Sequence, residues 1–453
     1  MEDHGTKVLS MEASPETTSA PGQGLRLPLL KGVCMLQVRR IVGLIASYAS
    51  LSILSRVVQM ITAFLVVRSL AKTEYAWYSL ANNLVGAIVI FTVTGIGTGL
   101  MPLAGEVAHD PLKLGSVLAS ARRFRAALLF FGSLVGLPVF IHLLLRSGCP
   151  PLSIALLVGS AIVSLMVSIS TQMIATPLSL ARRYNIPQWE NILSSALRLV
   201  CIVSLVFAGF ADAVTVMLIT VLAPLPTVCG WMLPKAREHA AFGQPADPAA
   251  TKRLKKYFII GLPANITHLF EAQVALFIVG WLGNIDKVAD LGAICRVALI
   301  LQIPLAVASG IMLPRMSTEQ NMQRLWKMWT GSSLLSVVIG VGIVACGWLL
   351  RHQLLFLLGP GYAGLGNELV LYLGFQAFSF FATVTTIPIQ AKGWVRHSWL
   401  RPLAVFGSQA LAAFVLDLST VSGAIGLMWA GSLGNMLLDS FLLFNGWRGR
   451  ATI

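Results

Sequence analysis

"LSILSRVVQMITAFLVV", residues 51–67, has the composition of a membrane helix except for Arg56. A segment of about 20 apolar residues crosses a hydrocarbon core of roughly 30 Å, and the window 43–67 is that long. Arg56 lies about 13 residues into a helix starting near Gly43, so at 1.5 Å per residue it is roughly 20 Å deep. Snorkelling to either interface is out of reach from there. An unpaired charge at that depth costs at least about 2.5–3.5 kcal/mol, so the position calls for a partner or a wet surface.

Eleven further windows of the same kind follow, at 79–103, 126–145, 152–178, 188–210, 212–233, 257–282, 288–313, 330–350, 366–389, 400–417 and 422–445. Those at 366–389 and 400–417 are the weakest. With 56% apolar residues, 11% charged residues and a mean hydropathy of +0.78, the chain is far from a water-soluble composition, which is about a quarter charged. The expected fold class is an all-α polytopic membrane protein of about 12 transmembrane helices.

The net charge of +15 does not signal nucleic acid, because its distribution is that of a membrane protein. With the N-terminus placed inside, 25 of the 33 Lys and Arg residues fall in inner segments. Five (Arg68, Lys72, Arg146, Lys287 and Arg351) fall in outer loops, and Arg56, Arg198 and Arg296 lie within spans. This positive-inside asymmetry places both termini in the cytoplasm of a cell-membrane protein. Residues 1–40 form a polar tail and entry segment with the composition of disorder and no signal-peptide pattern. Six scattered cysteines, with no CxxC and no His/Cys cluster, predict neither a disulfide framework nor a metal site. "GIGTG" (95–99) lies within a span and lacks GK[ST], so it predicts close helix packing rather than a phosphate loop. No cofactor is expected.

The longest inner connection, 234–256, divides the spans into 41–233 and 257–447, with a short tail at 448–453. Shifted by 212 positions, residues 63–102 lie over 275–314 without a gap, with identities from Ala63/Ala275 to Pro102/Pro314. Two six-helix lobes related by a parallel repeat around a central cavity are therefore expected, as in many secondary transporters.

Three stretches resemble a known family. "EYAWY" (74–78) is similar to the acidic-Tyr-Gly-x-Tyr element of the polysaccharide (O-antigen type) flippases, with Ala76 in place of the usual glycine. "LFLLGPGYAG" (355–364) is similar to the Gly-x-x-Tyr element that follows the ninth span of that family, and "LPRMS" (313–317) to the end of its eighth span. It belongs to the multidrug/oligosaccharidyl-lipid/polysaccharide exporter superfamily. The resemblance implies a V-shaped pair of lobes that passes lipid-linked oligosaccharide from the cytoplasmic to the outer leaflet. It also implies other proteins of a polysaccharide assembly pathway as partners. Met101 departs from the basic residue that many members keep near that position.

The spans carry candidate site residues. Tyr48, Ser52, Ser55, Gln59 and Thr62 recur at helical spacing and give the first helix a polar face that Arg56 joins. The 212-residue offset places Arg56 over His268 and Gln59 over Glu271, and Asn265, His268 and Glu271 share one face of the seventh span. Arg296, and Arg198 on a face with Asn191, Ser194 and Ser195, add cationic groups. A guanidinium fork matches phosphate oxygens, so this set fits a polyprenyl pyrophosphate, with Ser, Asn and Gln for the sugar. Glu271 is a candidate for proton or ion coupling, and Arg56 either binds the phosphate or bridges to Glu271. The alternative is a multidrug/cation antiporter, which would favour an acidic or aromatic cavity. A membrane enzyme of polysaccharide assembly would need reactive groups in sizeable outer loops. Those here are short, and the longest, about 351–365, holds no acid, so the chain is not expected to be an enzyme.

Overall fold

The computed structural model describes residues 50–448 apart from 52, 182, 184, 270–274, 298, 300–311, 313, 314, 317, 318, 320, 393 and 395–397. The side chains of 93–99, 102, 260, 261, 264, 265, 268 and 269 also lie outside the description. Among the described residues there is helix and no strand. The helices are α1 (53–69), α2 (Lys72–Glu106), α3 (Pro111–Arg146), α4 (Pro151–Leu180), α5 (Asn185–Phe207), α6 (Ala213–Arg237) and α7 (Pro248–Leu269). They continue as α8 (Ala275–Leu282), α9 (Ile285–Val297), α10 (Met322–Leu349), α11 (Arg351–Leu358), α12 (Gly366–Lys392), α13 (Arg401–Ala413) and α14 (Val421–Trp447).

Each of the twelve apolar windows coincides with helix over most of its described length, and among the described residues seven helices are both long and apolar enough to span a bilayer. The protein is a multi-pass membrane protein. The window at 366–389, weak in hydropathy, is one of those seven, a helix of 27 residues. The stretch at 351–365, expected as an outer loop, folds into α11 and a 3₁₀ turn, Pro360–Tyr362, after Gly359 at φ 112°.

Local chemistry sets the helix starts. Asp110 accepts from the amides of Leu112 and Lys113 ahead of Pro111, and Asp212 and Thr215 close a reciprocal capping box at α6. Asn321 and Thr420 cap α10 and α14 with their side chains. Within the spans, hydroxyls donate to carbonyls one turn back, as Thr62 does to Val58 and Thr176 to Gln172. Lipid offers these groups no partner, so the helix itself must. Large apolar side chains such as Phe130, Phe131, Leu134 and Val135 on α3 face outward. In water such a patch would be a liability, whereas in a bilayer it is the solvent contact.

α2 is the hub. It packs on α3, α4 and α6 of the first half and on α7 and α9 of the second. In the second half α10 packs on α12, and α12 and α13 pack on α14. One core joins Tyr75, Leu80 and Leu144 to Val288, Tyr362 and Ile425. A second gathers Leu100, Leu118, Met173 and Leu254, with Phe91 and Phe124 meeting Phe258 edge-on at 5.8 and 5.5 Å.

Glycine lets α13 and α14 close together: a Cβ at Gly434 would collide with the Ala404 carbonyl and the Ser408 hydroxyl. Gly434→Val should therefore cost about 1–3 kcal/mol of overpacking and lower the unfolding temperature in detergent. Gly342→Ala, where a Cβ meets nothing within 4 Å, should leave it unchanged or raised.

Candidate functional site: a polar cavity lined by α2, α9 and α12–α14

A cavity of about 660 Å³ opens between α2 and the helices of the second half. α12 supplies its longest wall. Tyr372, Gln376, Ser379, Thr383, Thr386 and Gln390 recur at spacings of 4, 3, 4, 3 and 4, which puts them on one helical face over about 27 Å. The opposite side of the same helix is built differently. Gly374, Ala377, Phe378 and Phe381 line an apolar groove against Val337, Gly340, Val341 and Val344 of α10. The rest of the cavity wall comes from Ser79, Asn82 and Asn83 of α2, Arg296 of α9, Arg401 of α13, and Ser432 and Asn435 of α14.

The polar wall is hydrogen-bonded to itself. Gln376 donates to the Tyr372 hydroxyl at 2.8 Å, and the Ser379 and Ser432 hydroxyls meet at 3.2 Å across α12 and α14. Among the described lining residues there are two arginines and no carboxylate. Arg296 lies beside Tyr75 and Tyr78 and within electrostatic reach of Arg198. Neither Arg296 nor Arg198 forms an ion pair among the described residues. Two like charges held together, with no described counter-charge, favour the approach of an anion.

Of the residues singled out from sequence, Arg296 lines the cavity. Arg198, on α5, is not among the lining residues and lies within electrostatic reach of Tyr78 and Arg296. On α1, Gln59 donates to Ser55 at 3.1 Å and to Ser195 of α5 at 3.4 Å, and Ser55 and Thr62 are buried, so this stripe faces α5. Arg56, next to it, is exposed and is not among the residues lining the cavity. Ser52 and Glu271 lie outside the described residues. Asn265 and His268 belong to α7, with their side chains outside the description. The α12 face, Arg401 and Asn435 are additions from the structure. The signal for the first was present as polar residues at alternating spacings of four and three in a span that hydropathy alone ranked as weak.

Both ends of the bundle are tied by contacts between the first half of the chain and residues that follow it. At the α1–α2 end, Lys72 Nζ meets Asp290 Oδ1 at 2.7 Å, with Lys287 at 3.9 Å from the same carboxylate, and the Lys72 ammonium lies 5.7 Å from the centre of the Tyr362 ring. Tyr75, fully buried, packs edge-on against Tyr362 at 6.4 Å. Arg68 lies over Phe356, and Arg146 donates to the Trp281 carbonyl. α2 and α9 approach closely there, since a Cβ on Gly292 would lie 2.8 Å from the Ser79 hydroxyl. At the other end Arg253 grips Glu106 with two hydrogen bonds of 2.7 and 2.8 Å. Those hydrogen bonds hold the Glu106 carboxyl below its ordinary range. The bridge therefore persists at neutral pH and is lost as pH falls through that depressed value.

Lys72→Ala would leave Asp290 charged and buried. Breaking a fully dry pair costs about 3–5 kcal/mol, and the loss here should be smaller because the Lys72 side chain is 35% exposed. The expected outcome is faster labelling of the cavity residue Cys295 by an impermeant maleimide applied at the α1–α2 end, in a background with the other cysteines replaced. Unchanged labelling would show that the pair does not hold that end shut.

No family model and no curated protein matches the chain. Solved structures do. An inward-facing multidrug resistance MATE family transporter of the MOP superfamily aligns with a TM-score of 0.65 at 16% identity, over 87% of this chain and 94% of that one. An outward-facing structure of a transporter described in the same words aligns at 0.61 and 16% identity, over 89% and 95%. The eukaryotic MATE transporter AtDTX14 aligns at 0.65 and 15% identity, over 92% and 98%. The chain has the fold of the MATE transporters of the MOP superfamily.

Proposed function

We propose that the protein is a transporter, not an enzyme, that works by alternating access in the cell inner membrane with both termini cytoplasmic. Its cargo is a polyprenyl-pyrophosphate-linked oligosaccharide or a related polysaccharide precursor, moved from the cytoplasmic to the outer leaflet. The observation that carries this reading is the cavity wall: Arg296 unpaired with any described carboxylate, and a face of hydroxyls and amides about 27 Å long on α12. A pyrophosphate needs a guanidinium fork, and a sugar chain needs a file of small donors and acceptors. In this reading Arg296 binds the pyrophosphate, with Arg198 within electrostatic reach. Arg56, Ser52, Gln59, Asn265 and His268 serve the first and seventh helices, and Glu271 couples an ion or proton.

Multidrug antiport is the second reading. The solved structures that share the fold include multidrug resistance transporters, and Tyr372, Phe375 and Phe380 give the cavity an aromatic side. The arginines argue against a cationic cargo.

The test uses purified protein in liposomes holding a fluorescent polyprenyl-pyrophosphate oligosaccharide, with leaflet exchange as the readout. Wild type should move the lipid. Arg296→Ala should slow exchange roughly 10–100-fold, the equivalent of about 1.5–3 kcal/mol for hydrogen bonds to a charged group. Arg56→Ala in the same assay tests whether the first helix contributes. A wild type that leaves the lipid in place and carries a cationic dye would overturn the proposal in favour of antiport.

A further inference from the structure

Arg401 begins α13 at the wall of the cavity and is held from behind by α14. Its Nη2 donates to Asp439 Oδ1 at 2.6 Å and its Nη1 donates to Asn435 Oδ1. The two partners of the ion pair are not equivalent. The Arg401 side chain is 20% exposed and lines the cavity, as does Asn435, while Asp439 is 2% exposed and does not line it. The cation therefore faces the space and the anion backs it. The pair also joins the polar wall, because Ser432, Asn435 and Asp439 are spaced three and four apart on α14, and Ser432 meets Ser379 of α12.

A role confined to pinning α13 against α14 accounts for this poorly. The two helices are already locked by glycine packing at Gly431 and Gly434. A buried ion pair is also weak evidence for stability, since apolar residues of equal volume often serve as well or better. A guanidinium carries five N–H donors in a planar fork, and two of Arg401's go to its described α14 partners.

Building on the proposed transport reading, we propose that Arg401 and Asn435 form a second oxyanion site in the cavity, and that Asp439 is the internal carboxylate occupying it when no cargo is bound. The ligand class is a phosphate oxyanion, brought either by an isoprenyl pyrophosphate or by an anionic phospholipid headgroup. Arriving phosphate displaces Asp439 from the fork and takes over its hydrogen bonds. Arg296, beside Tyr75 and Tyr78 of α2, is then one station for the anionic group and Arg401 another.

The test measures binding of a short-chain isoprenyl pyrophosphate to the purified full chain in detergent, with Arg401→Gln, Asp439→Asn and the double variant beside wild type. Removing the internal competitor should tighten binding about tenfold, and removing the fork should weaken it about tenfold, each about 1.4 kcal/mol. In the Arg401→Gln background, Asp439→Asn should change nothing, because its effect runs through the fork. An equal tightening in both backgrounds would mean a general field effect and would overturn the proposal. So would an Asp439→Asn protein that is folded and binds no more tightly than wild type. The double variant removes both charges together and so guards against a fold lost to one unpaired charge. Repeating the series in nanodiscs with phosphatidylglycerol identifies the source. Competition by that lipid, with the same pattern across variants, supports the site with a headgroup as its ligand. If wild type binds the isoprenyl probe and Arg401→Gln binds it equally, this site fails while the transport reading stands. If wild type binds neither probe, both fail.

Discussion

A polar side chain in a bilayer must find its partners inside the protein, because hydrocarbon supplies none. That constraint arranges most of what is seen here. Six polar residues along α12 cannot face lipid, so the helix turns them inward and gives its glycine, alanine and phenylalanine side to α10. Once inward, they need a counter-surface, which α2 and α14 provide through Asn82, Asn83, Ser432 and Asn435. The cavity is the space these groups share. The same constraint acts on charge: Asp290 is buried with Lys72, and Asp439 with Arg401.

Much of the fold was legible in the sequence because apolar length is a local property. The described parts of all twelve windows land mostly on helix. The site was less legible. Hydropathy treats a polar residue as a defect in a span, so the helix with the most developed polar face looked weak. Arg401 is joined to Asp439, 38 residues away, by packing that no local pattern encodes. Arg296 stood out because a charge well inside a span is visible without any knowledge of its neighbours. The two motif tyrosines, Tyr75 and Tyr362, are far apart in sequence and meet edge-on in the structure.

The frame and the lining carry different information. The frame is shared with transporters at 15 and 16% identity, over most of both chains, and so says how the helices are arranged. What crosses such a frame depends on the side chains facing the cavity. Here those are guanidinium, amide and hydroxyl groups with an aromatic side, and the described lining holds no acid. On the transport reading proposed above, that lining is the reason for preferring an anionic, hydroxylated cargo to a cationic one.

The most direct test of this account is a cryo-electron microscopy structure of the full chain with a polyprenyl-pyrophosphate oligosaccharide bound. The expected result is sugar density along the α12 face from Tyr372 towards Gln390, with the pyrophosphate within hydrogen-bond reach of Arg296 or Arg401. Density for the pyrophosphate away from both arginines, or a cavity left empty at saturating ligand, would contradict it.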